Sequence, residues 1–318
     1  MATGLQYQDG PPHDPGLTNR HNAPTGMMSG PTGAAGEGTA MTTRVAVLGA
    51  GGKMGFRITR KIRDAGFDLR AVEVAEAGRE RLRGAGIATM ERDAALRGAE
   101  AVVLAIPDQL IGPVAQEIVP GLDAGTILVI LDAAAPYAGA LPARADVTYF
   151  VGHPCHPPLY AHELEDPDQR RDVHGGVAPQ SIVCALMQGP EEHYAVGAAI
   201  CEAMWAPIRK THRVTLEQLA ILEPGLSEMV AMAFIDTMVE ALDECVAKYG
   251  IPREAAFDFL IGHINVETSM WFGFTPKVPS DAALRLMRFA KGVVLAPDWR
   301  EALSPAKVRE ASELIANG

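Results

Sequence analysis

RVAVLGAGGKMG, residues 44–55, decides the fold. Val45, Ala46, Val47 and Leu48 make a short, apolar, β-branched run, the composition of a strand buried on both faces. Gly49, Gly51, Gly52 and Gly55 follow, and over residues 56–62 the apolar positions recur at helical spacing. Strand, glycine turn, helix is the context in which a glycine motif binds a dinucleotide. The spacing here is G-x-G-x-x-x-G, longer than the usual fingerprint by one position. In that frame Gly49 permits the sharp turn. Gly51 and Gly52 let the backbone approach a pyrophosphate, and Gly55 lets the helix pack close to the strand. The N–H groups at the helix start, around Lys53, Met54 and Gly55, face the phosphates. A glycine-rich turn of some other α/β protein is the competing explanation, and a second signal decides against it.

That signal is Glu73 in LRAVEV, residues 69–74. An acidic residue ending the second strand, about twenty residues past the glycines, accepts hydrogen bonds from both ribose hydroxyls. It also repels a 2′-phosphate. No arginine follows it directly, although Arg79 and Arg81 are near. Glu73 therefore predicts NAD rather than NADP.

Outward from this unit, apolar strand-like runs alternate with helical ones. Residues 77–85 and 92–97 read as helices, and 88–90 as a short strand. AVVLAI (101–106) reads as a buried strand running into Pro107 and Asp108, and TILVIL (126–131) as another ending in Asp132. Asp108 stands at the carboxyl edge, where such sheets bind ligands; it touches the nicotinamide ribose or the substrate, or else caps the helix expected from Pro113. Residues 147–151, 181–187 and 208–212 are further strands, with a helix over 191–204. Short connections between alternating elements predict a Rossmann-type, doubly wound parallel sheet over 42–213.

The strand at 147–151 enters GHPCHPP, residues 152–158. Prolines stiffen the backbone there. His153 and His156 are thereby fixed at a strand end, where imidazole takes up a proton near neutral pH or binds a metal. Cys155 reads as packing. Residues 160–176 are polar and acidic and predict a surface loop or lid.

From Thr215 the chain turns helical, predicting an all-α second domain over 214–318. Thr215 is the expected N-cap and Gly250 the stop of a long apolar helix. Glu223-Pro224-Gly225 interrupts it, and the proline predicts a kink. Glu223 lies between Leu222 and Pro224 in an apolar segment, with Glu228 close behind. A carboxylate in such a place needs a cation, a substrate hydroxyl or a metal, unless it faces solvent or a subunit salt bridge. A further helix at 252–271 carries His263. Long apolar helices predict a buried homodimer interface.

Composition limits the partners. The net charge of −11 argues against nucleic acid. No uninterrupted apolar run reaches the roughly twenty residues that span a bilayer. Cys155, Cys184, Cys201 and Cys245 form no C-x-x-C pair, as in a reduced cytoplasmic protein. Residues 1–41 are rich in Gly, Pro, Thr and Ala, lack a signal-peptide core, and predict disorder. His13 and His21 within them are not expected to serve chemistry.

A nucleotide domain followed by a helical one resembles the 6-phosphogluconate dehydrogenase-like superfamily. Within it, VAVLGAGGKMG, LDAAAPYAG, HPCHPP, CALMQGPEEHYA and AILEPGLSE together resemble the D-apionate oxidoisomerase family, over residues 44 to about 300. The resemblance implies that a branched sugar acid loses a hydride from its 2-hydroxyl to NAD. A hydroxymethyl group then migrates from the adjacent tertiary alcohol carbon to the new carbonyl, giving 3-oxo-isoapionate. Such a step needs a base and a divalent cation, Mg or Mn with oxygen ligands, or Zn where imidazole joins them. On this basis His156 and Glu223 are expected as metal or substrate ligands and His153 as base or orienting group, with Glu228 in reserve. Prephenate- or arogenate-type dehydrogenases are the sharpest rivals, but Glu223-Pro224 stands where their histidine-rich pattern is expected. A plain β-hydroxyacid dehydrogenase needs a lysine on the long helix, and residues 216–247 contain none. A non-catalytic NAD-sensing protein would leave the histidine loop without a role.

Overall fold

The structure is a computed structural model and describes residues 43–161 and 163–318. The tail expected to be disordered lies outside the described residues. β1 (Arg44–Leu48) passes through the glycine turn into α1 (Lys53–Asp64), which buries Ile58, Thr59 and Ile62. β2 (Asp68–Val72), α2 (Glu76–Gly84) and the short α3 (Arg92–Leu96) follow. Residues 88–90 form an isolated bridge, Thr89 with Ala71, and not a full strand. Next come β3 (Ala101–Leu104), α4 (Asp108–Ile118), β4 (Ile127–Ile130), α5 (Ala134–Tyr137) and β5 (Thr148–Pro154). α6 (Pro167–Arg171), β6 (Gln180–Gln188), α7 (His193–Trp205) and β7 (Ile208–Arg213) complete the sheet region.

The strands lie in the order β2-β1-β3-β4-β5-β6-β7. All neighbours pair in parallel except β5 with β6, which are antiparallel. The doubly wound parallel sheet expected from the sequence is borne out, with this one antiparallel pair within it. A parallel return needs a packed crossover helix. The link between β5 and β6 offers only α6, which buries no residue. Pairing with β6 also carries β5 as far as Pro154, so His153 stands within a strand and not in the loop after it.

Alternate strand residues enter opposite layers, which is why these strands read as unbroken apolar runs. Val47, Val103, Val129 and Phe150 pack with Ile58, Ile62 and Trp205 on one face. Leu48, Leu104, Ile130 and Val151 pack with Ile111, Leu219 and Val308 on the other. Each such buried side chain contributes about 1.5–3 kcal/mol of transfer free energy.

The helical part comprises α8 (Leu216–Ala220), a wide π-like segment (Ile221–Met232), α9 (Ala233–Tyr249), α10 (Arg253–Trp271), α11 (Asp281–Val294) and α12 (Pro305–Asn317). Thr215 forms the reciprocal capping box with Gln218, and Gly250 ends α9 in left-handed backbone, φ +66°. By packing, the described residues up to Glu240 join Ala296–Gly318 in one compact unit, and Ala241–Leu295 form another. The boundary read near Arg213 follows the chain; the packing differs because α12 returns to the sheet. There Val308 joins the core, and Arg309 donates to the Tyr137 carbonyl at 2.6 Å while covering its ring. In the other unit, Arg253 pairs with Asp243 at 2.6 Å, and His263 donates to the Phe259 carbonyl at 2.7 Å. Among the described residues the helical run Leu216–Tyr249 is long and apolar enough on average to cross a bilayer, because averaging along a helix tolerates the interruption at Glu223.

Candidate active site

The glycine turn has the close contacts its sequence demands. Gly49 sits at φ +77°, and a Cβ there would lie 2.3 Å from the Ala105 carbonyl oxygen. A Cβ on Gly55 would lie 1.9 Å from the Gly49 carbonyl oxygen, so only glycine allows α1 to begin against the turn. Gly52 caps α1 with no side-chain hydrogen bond, and no acidic residue occupies the first turn. Lys53 and Met54 are exposed at that turn. An anion can therefore meet backbone N–H groups and the positive helix end unopposed.

Glu73 is buried beside this turn. Its Oε2 accepts from the Gly51 N–H and its Oε1 from the Ala75 N–H, both at 2.8 Å. Each carboxylate oxygen retains acceptor capacity for a ribose hydroxyl. The nearby arginines are held by backbone: Arg79 donates to the Glu73 carbonyl at 2.7 Å, and Arg81 to the Gly51 carbonyl. The cradle and the acid together fit a dinucleotide.

The chemistry gathers at the carboxyl ends of β3, β4 and β5. Ile130 is in register with Val151, so Asp132 and His153, each two positions further on, come side by side. Glu223 arrives from the helical segment. Pro224 supplies no N–H and disfavours helical backbone in the residue before it. Glu223 accordingly adopts φ −144°, ψ 119°, and the helix breaks there. The ligand atoms of Asp132, His153 and Glu223 all lie within 4.8 Å of one another.

His153 Nδ1 lies 2.9 Å from the Leu131 carbonyl, which can only accept, so Nδ1 carries a proton. In the neutral ring Nε2 then presents a lone pair. It faces Glu223 Oε2 at 2.5 Å, and that oxygen is buried without an aligned hydrogen bond. A lone pair against a carboxylate is repulsive. Either Nε2 is protonated or a cation joins the two. Burial alone lowers the His153 pKa, but Glu223, the Leu131 carbonyl and Asp132 outweigh it and raise it. Burial pushes Asp132 up to about 7 against the Ala134 N–H, with Glu223 and Asp108 adding to the rise. Burial and then Glu223 likewise raise Asp108 and Glu228. Four half-buried acids around a single imidazole leave an excess of negative charge that fits a divalent cation.

The sequence-derived residues are thus partly brought together. His153 and Glu223 meet, and Asp108 and Glu228 surround them electrostatically. His156, expected with Glu223 as the metal pair, stands outside the cluster. Its left-handed backbone, φ +61°, goes with an exposed ring that contacts the His174 carbonyl at 3.2 Å and meets His153 edge-on at 6.4 Å. Asp132 stands beside His153 and Glu223 instead, and the three could hold a metal ion. Its signal in the sequence was its place just beyond an apolar strand, the edge already assigned to Asp108.

A Rossmann unit with an acid-ended second strand, and a half-buried His–carboxylate cluster at the same sheet edge, define a dinucleotide-dependent oxidoreductase. The family model for phosphogluconate dehydrogenase (decarboxylating) C-term matches residues 162–316, and that for NADP oxidoreductase coenzyme F420-dependent matches 44–136. D-apionate oxidoisomerase of Rhizobium rhizogenes is 46% identical over 86% of this chain and 99% of its own. The chain belongs to the D-apionate oxidoisomerase family. A solved structure from Jannaschia sp. CCS1 is 64% identical, covering 87% of this chain and all of that one, with a TM-score of 0.84. A semialdehyde dehydrogenase NAD-binding protein from Cupriavidus necator, in complex with calcium and NAD, is 42% identical over 86% of this chain and 100% of its own, with a TM-score of 0.83.

Proposed function

We propose that this chain is an NAD-dependent oxidoisomerase of D-apionate, and that Asp132, His153 and Glu223 hold a divalent cation. The observation that carries the proposal is the convergence of one imidazole and two carboxylates, the ligand atoms of Asp132, His153 and Glu223 lying within 4.8 Å of one another at the sheet edge. When bound, the cation supplies Lewis-acid polarisation of the substrate oxygens. Glu73 and the α1 start orient NAD so that hydride leaves the 2-hydroxyl carbon toward the nicotinamide. Asp108 and Glu228, whose proton affinities are raised, take the proton of the 2-hydroxyl and then that of the neighbouring tertiary hydroxyl. Loss of the second proton drives the hydroxymethyl group and its bonding pair to the 2-carbonyl carbon. The bond to the tertiary carbon breaks as a new carbonyl forms there, the 2-carbonyl π pair moves onto its oxygen, and that alkoxide takes back the proton removed from the tertiary hydroxyl, giving 3-oxo-isoapionate. His156 orients the substrate from the loop after β5.

We further place the working form as a cytoplasmic homodimer joined through the helical unit. Support comes from α10 and α11, which bury no residue although they carry Phe257, Phe259, Phe289 and Val293. The free cysteines suit a reducing compartment. The test of function is NADH formation from D-apionate with a product mass taken from the same reaction. NADH with a rearranged 3-oxo acid supports the proposal; tight NAD binding with no turnover of D-apionate contradicts it.

A further inference from the structure

We propose that Gly78 is a positioning residue for cofactor selectivity: its missing side chain leaves the socket that holds the Glu73 carboxylate against the glycine turn, and so makes the chain prefer NAD. The inference rests on the reading of NAD as cofactor. Gly78 is buried in the first turn of α2. A Cβ on it would stand 2.7 Å from both Cγ and Cδ of Glu73 and 2.9 Å from Oε2. Gly51 meets Gly78 backbone to backbone, since a Cβ on Gly51 would lie 2.5 Å from the Gly78 carbonyl oxygen. The Glu73 carboxylate fills the remaining gap, pinned by the Gly51 and Ala75 N–H groups.

An added methyl at residue 78 thus collides with the Glu73 side chain from Cγ to the carboxylate. The carboxylate therefore leaves its socket. Two consequences follow together. The ribose hydroxyls lose their charged acceptor, and the negative charge that opposes a 2′-phosphate moves away. Arg79 and Arg81 stay beside the vacated place, tied to the Glu73 and Gly51 carbonyls. Selectivity shifts toward NADP.

Gly84 is an internal control. It ends the same helix, and a Cβ there meets nothing within 4 Å. The test is direct binding of NADH and NADPH, followed by fluorescence without substrate, to the wild type, Gly78→Ala and Gly84→Ala. Gly78→Ala weakens NADH by about tenfold or more, the loss of charge-assisted hydrogen bonds, and raises NADPH affinity relative to NADH. Gly84→Ala keeps the wild-type ratio. An unchanged ratio in Gly78→Ala, or equal losses for both cofactors, overturns the inference. A wild type that prefers NADPH refutes the NAD reading itself, which separates the two failures. Should Gly78→Ala not fold, Glu73→Ala, which removes the Cγ, Cδ and Oε2 atoms that the added methyl would meet, is compared with Glu73→Ala carrying Gly78→Ala as well. The two must share one NADH to NADPH ratio, and a further change on adding the methyl overturns the inference.

Discussion

On the proposed cation site, single groups at the sheet edge should govern how this protein responds to pH and to cations. Asp132, with its pKa near 7, and His153, also raised, both bind protons more tightly in the folded chain than in the unfolded one. The sign follows from linkage: their contribution to stability is present at low pH and is lost as pH rises through the folded values. For Asp132 the window runs from the ordinary carboxylate range to about 7. Metal-stripped protein should therefore lose melting temperature between pH 5 and 8 at these sites, by about a degree or more. A divalent cation should restore more at pH 8 than at pH 6. Melting curves with chelator and with Mn or Mg check both, and an equal cation effect at the two pH values would count against the assignment. Asp132→Asn should lower kcat by about a hundredfold or more, the scale of losing cation-assisted charge stabilisation, with NAD binding unchanged.

At the scale of elements, the break at Glu223 aims a helix-borne acid at a strand-borne histidine. Pro224→Ala restores the N–H and frees residue 223 to enter the helix. Helical circular dichroism should then rise slightly while turnover falls at least about tenfold, a geometric loss of the kind small displacements cause. Retained turnover with a straightened helix would mean that Glu223 is dispensable. Thr215→Ala removes the capping box of the same helical run and should cost about 1 kcal/mol in urea unfolding, with kcat intact. Much of this level was legible in the sequence. The glycine turn, Glu73, the Thr215 cap and the proline break each have a local chemical cause. Glu223 was visible as a carboxylate among apolar neighbours. What escaped depends on pairing between distant segments. The register of β4 with β5 brings Asp132 to His153, and the antiparallel return of β6 draws His153 into a strand. The left-handed backbone of His156 had only a weak signal, since histidine enters that region more often than most residues but far less often than glycine.

For the whole molecule, the central facts are one compact unit that contains the full acidic cluster and another whose helices leave aromatic residues exposed. Phe289 is 71% and Val293 70% exposed, although α11 is strongly amphipathic. Burying such a face against a second copy offsets the cost of its hydration. Sedimentation should find a dimer, and Phe289→Glu should shift it toward monomer; a monomeric wild type would refute the dimer. The sequence showed the apolar helices but not that α12 returns to the sheet, because its amphipathic pattern does not name a partner. The most direct test of the account is turnover of D-apionate with NAD by metal-stripped enzyme, before and after adding back Mg or Mn. The account predicts no NADH and no rearranged product from stripped enzyme, with both restored together by the cation in the wild type and not in Asp132→Asn. Full NADH and full rearrangement from the stripped enzyme would contradict it.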